Sequence, residues 1–248
     1  MVSWRTPNTY LTAGAGGGPP PQLLRDPGQP LGGAIAAVVV LVAIIVVGVV
    51  QSQRTATSAD AAVPGNTVAD GTAVRIGNSD APVTVTVYED FLCPACKSFE
   101  DVLGPTLADL VAEGATAVEY RPIAILDRMS PDAYPTRALN AAGVVADAAG
   151  PEAFLDFHDL LFANQPTEGG PGLSDEDLIA LAERAGATGE AVESGISGLV
   201  YEDWTERVTE EASRDGVNGT PTVFVDGQVL DVRTPQGLED AVRAAAAD

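Results

Sequence analysis

The stretch Val83–Phe99, VTVTVYEDFLCPACKSF, contains the only two cysteines of a 248-residue chain. Ahead of the cysteines, alternating Val and Thr over Val83–Tyr88 predict a β-strand, because β-branched and aromatic residues favour that conformation. After them, apolar residues recur at three- and four-residue steps, which predicts a helix: Cys96, Phe99, Leu103, Leu107 and Leu110. Cys93-Pro94-Ala95-Cys96 is therefore expected where a strand turns into a helix, with Cys93 at or just before the helix N-terminus.

This position favours redox chemistry of the two sulfurs. Unsatisfied N–H groups give a helix N-terminus a partial positive charge, which stabilises a thiolate and lowers its pKa. We favour a redox pair over half of a zinc site or an inert pair. Zinc requires four ligands, and the only histidine in the chain is His158. We therefore expect no metal and no cofactor.

The charge of the chain limits its partners. It has 13 Lys and Arg against 35 Asp and Glu, a formal net charge of −22. A surface of this sign does not bind phosphate backbones, so nucleic acid is an unsuitable partner.

The N-terminal third of the chain predicts a membrane anchor and a tether. Residues 1–30 are rich in Gly and Pro and are expected to be a disordered cytoplasmic tail. Residues 31–50 carry no charge and are long enough for a single transmembrane helix, although a cleaved signal peptide is the alternative. Residues 51–72 are expected to form a flexible linker, and the acidic domain at 73–248 to lie outside the cell membrane.

The order of elements in 73–248 predicts an α/β domain with a mixed sheet of four or five strands. Two strands precede the Cys-x-x-Cys helix, which Pro105 should kink and Gly114 should end. One strand follows, and then helical patterns occupy about 127–215. The chain returns to a hairpin around Asp226-Gly227 and closes with a helix.

Three features resemble the DsbA-like branch of the thioredoxin superfamily, especially its membrane-anchored actinobacterial members. They are Tyr88–Cys96 (YEDFLCPAC), the helical insertion, and Gly219-Thr220-Pro221-Thr222 before the hairpin. The resemblance implies a thioredoxin-like fold with an inserted helical subdomain. It also implies that Cys93 is an exposed nucleophile, that Cys96 is a buried resolving thiol, and that Thr220 and Pro221 form the cis-proline loop that binds substrate.

The sequence departs from the family pattern near the cysteines. Many members have a buried carboxylate six residues before the first cysteine, where this chain has Val87, so a proton relay through that position is absent. Ala95 replaces the histidine found in strongly oxidising members. Glu89 and Asp90 lie near Cys93 in sequence, and their charges would oppose a thiolate. The direction of the redox reaction therefore stays open.

Other conspicuous residues are assigned ordinary structural roles. His158 is expected to be a solvated or capping helix residue, and Lys97 a residue on a helix surface. Phe154, Phe157 and Trp204, at helical spacing, are expected in the core.

The function that the resemblance implies is a membrane-tethered extracytoplasmic thiol–disulfide oxidoreductase with a Cys93–Cys96 disulfide. Its substrates would be cysteine-containing exported proteins. Its partner would be a membrane quinone-linked oxidase of the DsbB or vitamin-K-epoxide-reductase type. Two alternatives are a thiol reductase, for example in cytochrome maturation, and a non-catalytic membrane-anchored binding module with a structural disulfide.

Overall fold

The strands and helices of the chain are taken from a computed structural model that describes residues 61–231 and 233–247. The strands are β1 (Val74–Ile76), β2 (Val83–Glu89), β3 (Thr116–Pro122), β4 (Thr222–Val225) and β5 (Gln228–Val229). The helices are α1 (Pro94–Ala112), α2 (Tyr134–Ala163), α3 (Asp175–Arg184), α4 (Glu190–Ser197), α5 (Glu202–Arg214) and α6 (Pro235–Ala245). A 3₁₀ turn at Asp127–Met129 precedes α2.

The five strands form one mixed sheet in the order β1-β3-β2-β4-β5. β2 is parallel to β3 and antiparallel to β4, and the two remaining pairs are antiparallel. Val83, Val85 and Val87 of β2 are fully buried, because a central strand in a covered sheet packs its apolar residues against the helical layers. The sheet confirms the predicted α/β class and places the end of β2 in the middle of the domain.

α1 buries the face that the sequence pattern predicts. Cys96, Phe99, Leu103, Leu107 and Leu110 all point into the core. Pro105, which was expected to kink the helix, lies on its exposed side, and α1 continues through it as one helix. Gly114 follows the helix with a φ of 72°, the left-handed conformation that commonly ends helices.

The helical insertion lies between β3 and β4, as predicted for about 127–215. The sequence patterns predict one helix over Ala133–Ala149 and another over Glu152–Asn164, and the backbone agrees: α2 is interrupted at Gly150, where φ is 88° and ψ is −178°, so a helical segment lies on either side of that residue. The sequence patterns did not predict α4. It spans eight residues and begins after Gly189 without a side-chain cap, so neither length nor a capping signal marks it.

Part of the expected linker belongs to the folded domain. Within residues 61–72, the Gly65 N–H donates to Asp147 Oδ1 at 2.8 Å and the Asn66 side chain donates to the Ala146 carbonyl at 2.9 Å. The buried indole N–H of Trp204 donates to the Gly71 carbonyl at 2.6 Å. A buried indole N–H requires an acceptor, and this segment supplies it, so residues 61–72 are not a free tether.

The predicted cytoplasmic tail at 1–30, the transmembrane helix at 31–50 and residues 51–60 of the linker lie outside the described residues. Among the helices of the described part of the chain, none combines the length and the apolar character needed to span a membrane.

Candidate active site

The two cysteines lie at the junction of β2 and α1. Cys93 is the N-cap residue of α1, with extended backbone angles, and Pro94 occupies the first helical turn. The N–H groups of Cys96 and Lys97 donate to the Cys93 carbonyl at 3.1 and 3.2 Å. Pro94 has no N–H to donate, which suits the start of a helix, where that group would have no intrahelical acceptor. Both sulfurs are free thiols in this structure.

The two thiols differ in exposure. Cys93 retains 8% of its surface, and Cys96 retains none. The nucleophile implied by the resemblance was expected to be exposed, so its burial is a correction. Phe91 and Leu92, immediately before Cys93, are themselves fully buried. Because they pack in the core, the junction of β2 and α1 lies below the surface. A reagent therefore has only the small exposed part of Cys93 to approach and does not reach Cys96 directly.

The two thiols also differ in acidity. A hydrogen bond from the Cys96 thiol is the largest cause that lowers the pKa of Cys93, to about 5, and it outweighs the opposing effect of burial. Thr220 and the backbone N–H groups of Cys96 and Ala95 lower that pKa further. Burial is the main cause that raises the pKa of Cys96 far above its ordinary value. At neutral pH the pair is thus one thiolate and one thiol.

The Thr220–Pro221 loop lies against the thiolate. Its peptide bond is cis, and the Cys93 Sγ lies 3.4 Å from the Thr220 carbonyl oxygen, which accepts a hydrogen bond from the sulfur when Cys93 is a thiol. The position of the loop follows from the sheet, because Thr222 at the start of β4 pairs with Tyr88 near the end of β2. The structure therefore brings together all four residues that the sequence analysis singled out, Cys93, Cys96, Thr220 and Pro221.

Two side chains fix the corner: Asp90, which the sequence analysis considered only for its charge, and Gln165, which it did not consider. Asp90 is fully buried and accepts N–H bonds from Leu92 at 2.9 Å and Leu126 at 3.0 Å. Burial raises the pKa of Asp90 to about 7, despite these two hydrogen bonds. Gln165, just beyond α2, donates to the carbonyls of Phe91 and Cys93 at 3.0 Å each. The β2–α1 corner is thus tied to both the insertion and the loop after β3.

His158 is a further residue that sequence reasoning placed wrongly. It is fully buried, and its Nε2 lies 2.6 Å from Oε1 of Glu89, which is also fully buried. Its Nδ1 contacts Asp159 Oδ1 at 3.0 Å. Burial lowers the pKa of His158, but the negative charge of Glu89 and the other carboxylates raises it well above its ordinary value. The signal that could have found it is its spacing, since His158 lies on the apolar face formed by Phe154, Phe157 and Leu161.

The sequence analysis found Val87 where many family members have a buried carboxylate. The structure has a buried carboxylate at a different position. A buried carboxylate is present below the cysteines, but it is Glu89, at the end of β2. Its charge contributes to the raised pKa of Cys96. One oxygen of Glu100 lies within 4.8 Å of ligand atoms of Glu89 and His158, a spacing that could suit a metal ion. However, His158 and Glu89 contact each other directly at 2.6 Å. Two of the three ligand atoms are therefore engaged with each other and not directed at a metal ion.

Lys97 lies on the surface of α1, as predicted. Its ammonium group donates to the Phe162 carbonyl at 3.0 Å and lies 3.5 Å from Asp101. It links α1 to the end of α2 and is not directed at the cysteine sulfurs.

An apolar groove of about 620 Å³ adjoins the cysteines. Its floor includes Ala95 between the cysteines and Pro221 of the cis-proline loop. Val102 and Val229 on its rim are 49% and 72% exposed. Its lining is mainly apolar side chains: Phe99, Val102, Leu103, Val223, Val229 and Leu230. This groove places an apolar surface beside the nucleophilic sulfur.

Comparison with known proteins agrees with this geometry. A family model described as thioredoxin matches residues 69–244. The chain belongs to the thioredoxin family. Among solved structures, the reduced disulfide bond oxidoreductase DsbG from Mycobacterium tuberculosis is 38% identical, with a TM-score of 0.64, over 72% of this chain and 89% of that one. Oxidised DsbA from the same organism is also 38% identical, with a TM-score of 0.63, over 71% of this chain and 93% of that one. Within the family the chain is DsbA-like.

A longer curated protein is similar to part of this chain. The serine/threonine-protein kinase PknE of M. tuberculosis is 29% identical over 172 residues, which are 66% of this chain. The chain spans 30% of the length of that relative.

Proposed function

We propose that the chain is a membrane-tethered, extracytoplasmic protein thiol–disulfide oxidoreductase that forms or isomerises disulfides in exported proteins. The observation that supports the proposal is the position and acidity of the Cys93 sulfur. It sits at a helix N-cap with a pKa near 5, beside a resolving thiol and 3.4 Å from the cis-proline loop. Family membership and the likeness to DsbG and DsbA support the same class of reaction.

The reaction starts from the Cys93–Cys96 disulfide. A substrate thiolate attacks the Cys93 sulfur, a substrate–Cys93 bond forms, and the electron pair of the broken bond leaves on Cys96. A second substrate thiolate attacks the substrate sulfur of this mixed disulfide. The substrate disulfide forms and Cys93 leaves as a thiolate. The substrate loses two electrons, Cys96 takes up one proton, and the reduced enzyme holds a Cys93 thiolate and a Cys96 thiol.

The exposures of the two cysteines assign these roles. Of the two cysteines only Cys93 retains any exposed surface, so attack is directed to it, and Cys96 reacts from inside the domain. A low pKa makes Cys93 the better leaving group, since a more acidic thiol leaves faster. The same stabilised thiolate favours the reduced enzyme and hence oxidation of the substrate. This argument favours an oxidase or isomerase over the alternative of a reductase.

The apolar groove and the cis-proline loop are the proposed substrate site. An extended peptide can lie along the cis-proline loop beside Thr220, while its apolar side chains pack against Val102, Val229 and Pro221. Substrates that are still unfolded expose such side chains. The site therefore fits unfolded, cysteine-containing chains better than folded ones.

Location and re-oxidation follow from the sequence and the family resemblance. The uncharged segment 31–50 would anchor the domain outside the cell membrane. A membrane quinone-linked oxidase of the DsbB or vitamin-K-epoxide-reductase type would accept two electrons from the Cys93–Cys96 dithiol and restore the disulfide.

The proposal is tested by oxidative refolding of a reduced, unfolded protein that contains several cysteines. We expect the oxidised full-length chain to accelerate disulfide formation and Cys93→Ser to abolish it. Cys96→Ser should instead accumulate a mixed disulfide at Cys93, detectable by mass spectrometry. Full activity of Cys93→Ser would contradict the mechanism, and a Cys93 that resists alkylation after mild reduction would favour the binding-module alternative.

A further inference from the structure

Another groove, of about 640 Å³, lies between α1 and the second half of α2 and shares no residue with the groove beside the cysteines. Val118 and Tyr120 of β3 contribute the sheet side of its lining. The volume lies within the range of about 300–1,000 Å³ that is usual for small-molecule sites. The reaction described above does not use this groove.

The groove is polar at one end and apolar at the other. Its carboxyl groups belong to Glu100 and Asp101, near the start of α1, and to Asp159 of α2. Toward the end of α1 the lining is apolar and includes Leu107 and Val111 of α1, Leu155 of α2 and Ile76 of β1. The helix rises roughly 18 Å between Glu100 and Ala112, at about 1.5 Å per residue. An extended apolar chain therefore fits along α1, with its polar head beside the carboxyl groups.

Fixed charges make the polar end negative. The Lys97 ammonium lies 3.5 Å from Asp101 and donates to a backbone carbonyl at 3.0 Å, so it already has partners. Asp159, whose side chain is 67% exposed, shares the His158 ring with the fully buried Glu89. Carboxyl groups thus outnumber cationic groups among the described residues at this end. A cation is the head group that complements it.

Glu100 has an oxygen atom that is available to such a head group. Its Oε1 is buried and has no hydrogen-bond partner among the described residues. Its Oε2 lies against Gly104, where an added Cβ would come within 2.9 Å of that oxygen. A glycine inside a helix is destabilising relative to alanine. Here Gly104 leaves room for the carboxyl group and keeps the groove open.

Glu100 holds a proton near neutral pH. Burial raises its pKa to about 8; the charge of Glu89 raises it further, His158 lowers it, and Asp159 raises it. The ionisable groups around Glu100 are Glu89 of β2, Tyr120 of β3, His158 and Asp159 of α2, and Lys97 and Asp101 of α1 itself. An ammonium group beside Glu100 would stabilise its carboxylate. Binding of a cation should therefore release a proton.

We propose that the groove between α1 and the second half of α2 binds an amphipathic cation, a single apolar chain with an ammonium head. The head lies at Glu100 and Asp159, and the chain lies along Leu107 and Val111. This site is separate from the cysteines, and its ligand is a small molecule and not a protein substrate of the disulfide reaction.

Isothermal titration calorimetry tests the proposal with octylammonium, added to the oxidised full-length chain in nanodiscs of a zwitterionic phospholipid. Titration of empty nanodiscs corrects for partition into the bilayer. We expect saturable binding of one cation per chain. Hexylammonium, which is two methylene groups shorter, should bind about tenfold more weakly. Octanoate, which has a similar tail and the opposite charge, should bind about 100-fold more weakly or not at all.

Proton release distinguishes the Glu100 site from other apolar surfaces. Binding enthalpies at pH 7, measured in buffers of different ionisation enthalpy, give the number of protons released. The parent protein should release up to about one proton per cation bound. Glu100→Gln should release none and should bind octylammonium about tenfold more weakly. Asp109→Asn is the matched control, since Asp109 is exposed on the same helix and does not line the groove, and it should match the parent.

Gly104→Ala tests the groove without removing a charge. Alanine favours the helix, so the melting temperature should not fall. The added methyl group displaces the Glu100 carboxyl, so octylammonium should bind about tenfold more weakly, the lower end of what one methylene group decides in a pocket. If Glu100→Gln does not fold, this variant decides.

Two results would overturn the proposal. Octanoate that binds as tightly as octylammonium, or more tightly, would show that the groove does not select a cation. An unchanged affinity in Gly104→Ala would show that octylammonium binds elsewhere. Failure of the oxidative refolding assay would leave both results as they are, because binding is measured on the oxidised protein without a disulfide substrate.

Discussion

At the level of single residues, the reactivity of the site comes from the contrast between Cys93 and Cys96. The two cysteines are three residues apart but differ in acidity and burial. Cys93 is at the N-cap, where its sulfur lies near backbone N–H groups, whereas Cys96 lies in the first turn of the helix and faces the core. The hydrogen bond from the Cys96 thiol couples the two, since it stabilises Cys93 as a thiolate. Both residues are cysteines, so their positions in the helix decide which of them is the nucleophile.

The low pKa of Cys93 should be visible in the pH dependence of its alkylation. In the reduced protein, the rate of alkylation of Cys93 by iodoacetamide should rise with a midpoint at about pH 5. Cys96 should stay unmodified across the same range, because burial raises its pKa and hides its sulfur. Peptide mapping by mass spectrometry distinguishes the two. A midpoint near about 8.5, the value of an unperturbed thiol, would show that the corner does not stabilise the thiolate.

At the level of elements, the site depends on contacts that hold the β2–α1 corner from outside. Gln165 reaches the corner from the end of α2 and satisfies two carbonyls, those of Phe91 and Cys93. Asp90 holds the loop after β3 through the Leu126 N–H. The helical insertion thus orders the redox corner as well as covering the sheet.

Removal of the Gln165 side chain should weaken this support. We expect Gln165→Ala to lower the free energy of unfolding by about 1–2 kcal/mol, because two hydrogen bonds to partly buried carbonyls are lost. Gln236→Ala is the matched control, since Gln236 is exposed and bonds only to exposed carboxylates on α6. Chemical denaturation measures both. Equal stability of the two variants would show that Gln165 does not support the corner.

The sequence predicts elements best where one local pattern decides them. Alternating valines predict β2, and the spacing from Cys96 to Leu110 predicts α1, so the corner between them follows. The pairing of His158 with Glu89 was not predicted, because the two residues are 69 apart in sequence and no local pattern pairs them. Residues 61–72 were assigned to a linker for the same reason, since the partners that hold them, Asp147 and Trp204, come from the insertion.

At the scale of the whole molecule, buried carboxyl groups make the stability depend on pH. The pKa of Glu100 is raised to about 8 and that of Asp90 to about 7, mainly by burial. A carboxyl whose pKa is raised on folding binds its proton more tightly in the folded state. Its contribution to stability is present at low pH and is lost as the pH rises through the folded value.

We therefore expect the free energy of unfolding of the oxidised protein to fall between about pH 4.5 and pH 8. Glu100→Gln should flatten this fall, because the amide does not ionise. Glu113→Gln, which changes an exposed carboxylate just beyond the same helix, should leave it unchanged. Urea denaturation at several pH values provides the measurement. A pH profile of Glu100→Gln that is parallel to the parent profile would contradict this assignment.

If Cys93 and Cys96 form an oxidising redox pair, the pair must have a high reduction potential. The full-length protein is equilibrated with glutathione buffers, and the fraction of dithiol is counted after alkylation. The stabilised Cys93 thiolate favours the reduced state, so we predict a potential of about −120 to −180 mV, the range of oxidants and isomerases. A potential near about −270 mV, typical of reductants, would rule out an oxidising pair and would favour a reductase supplied with electrons from the membrane.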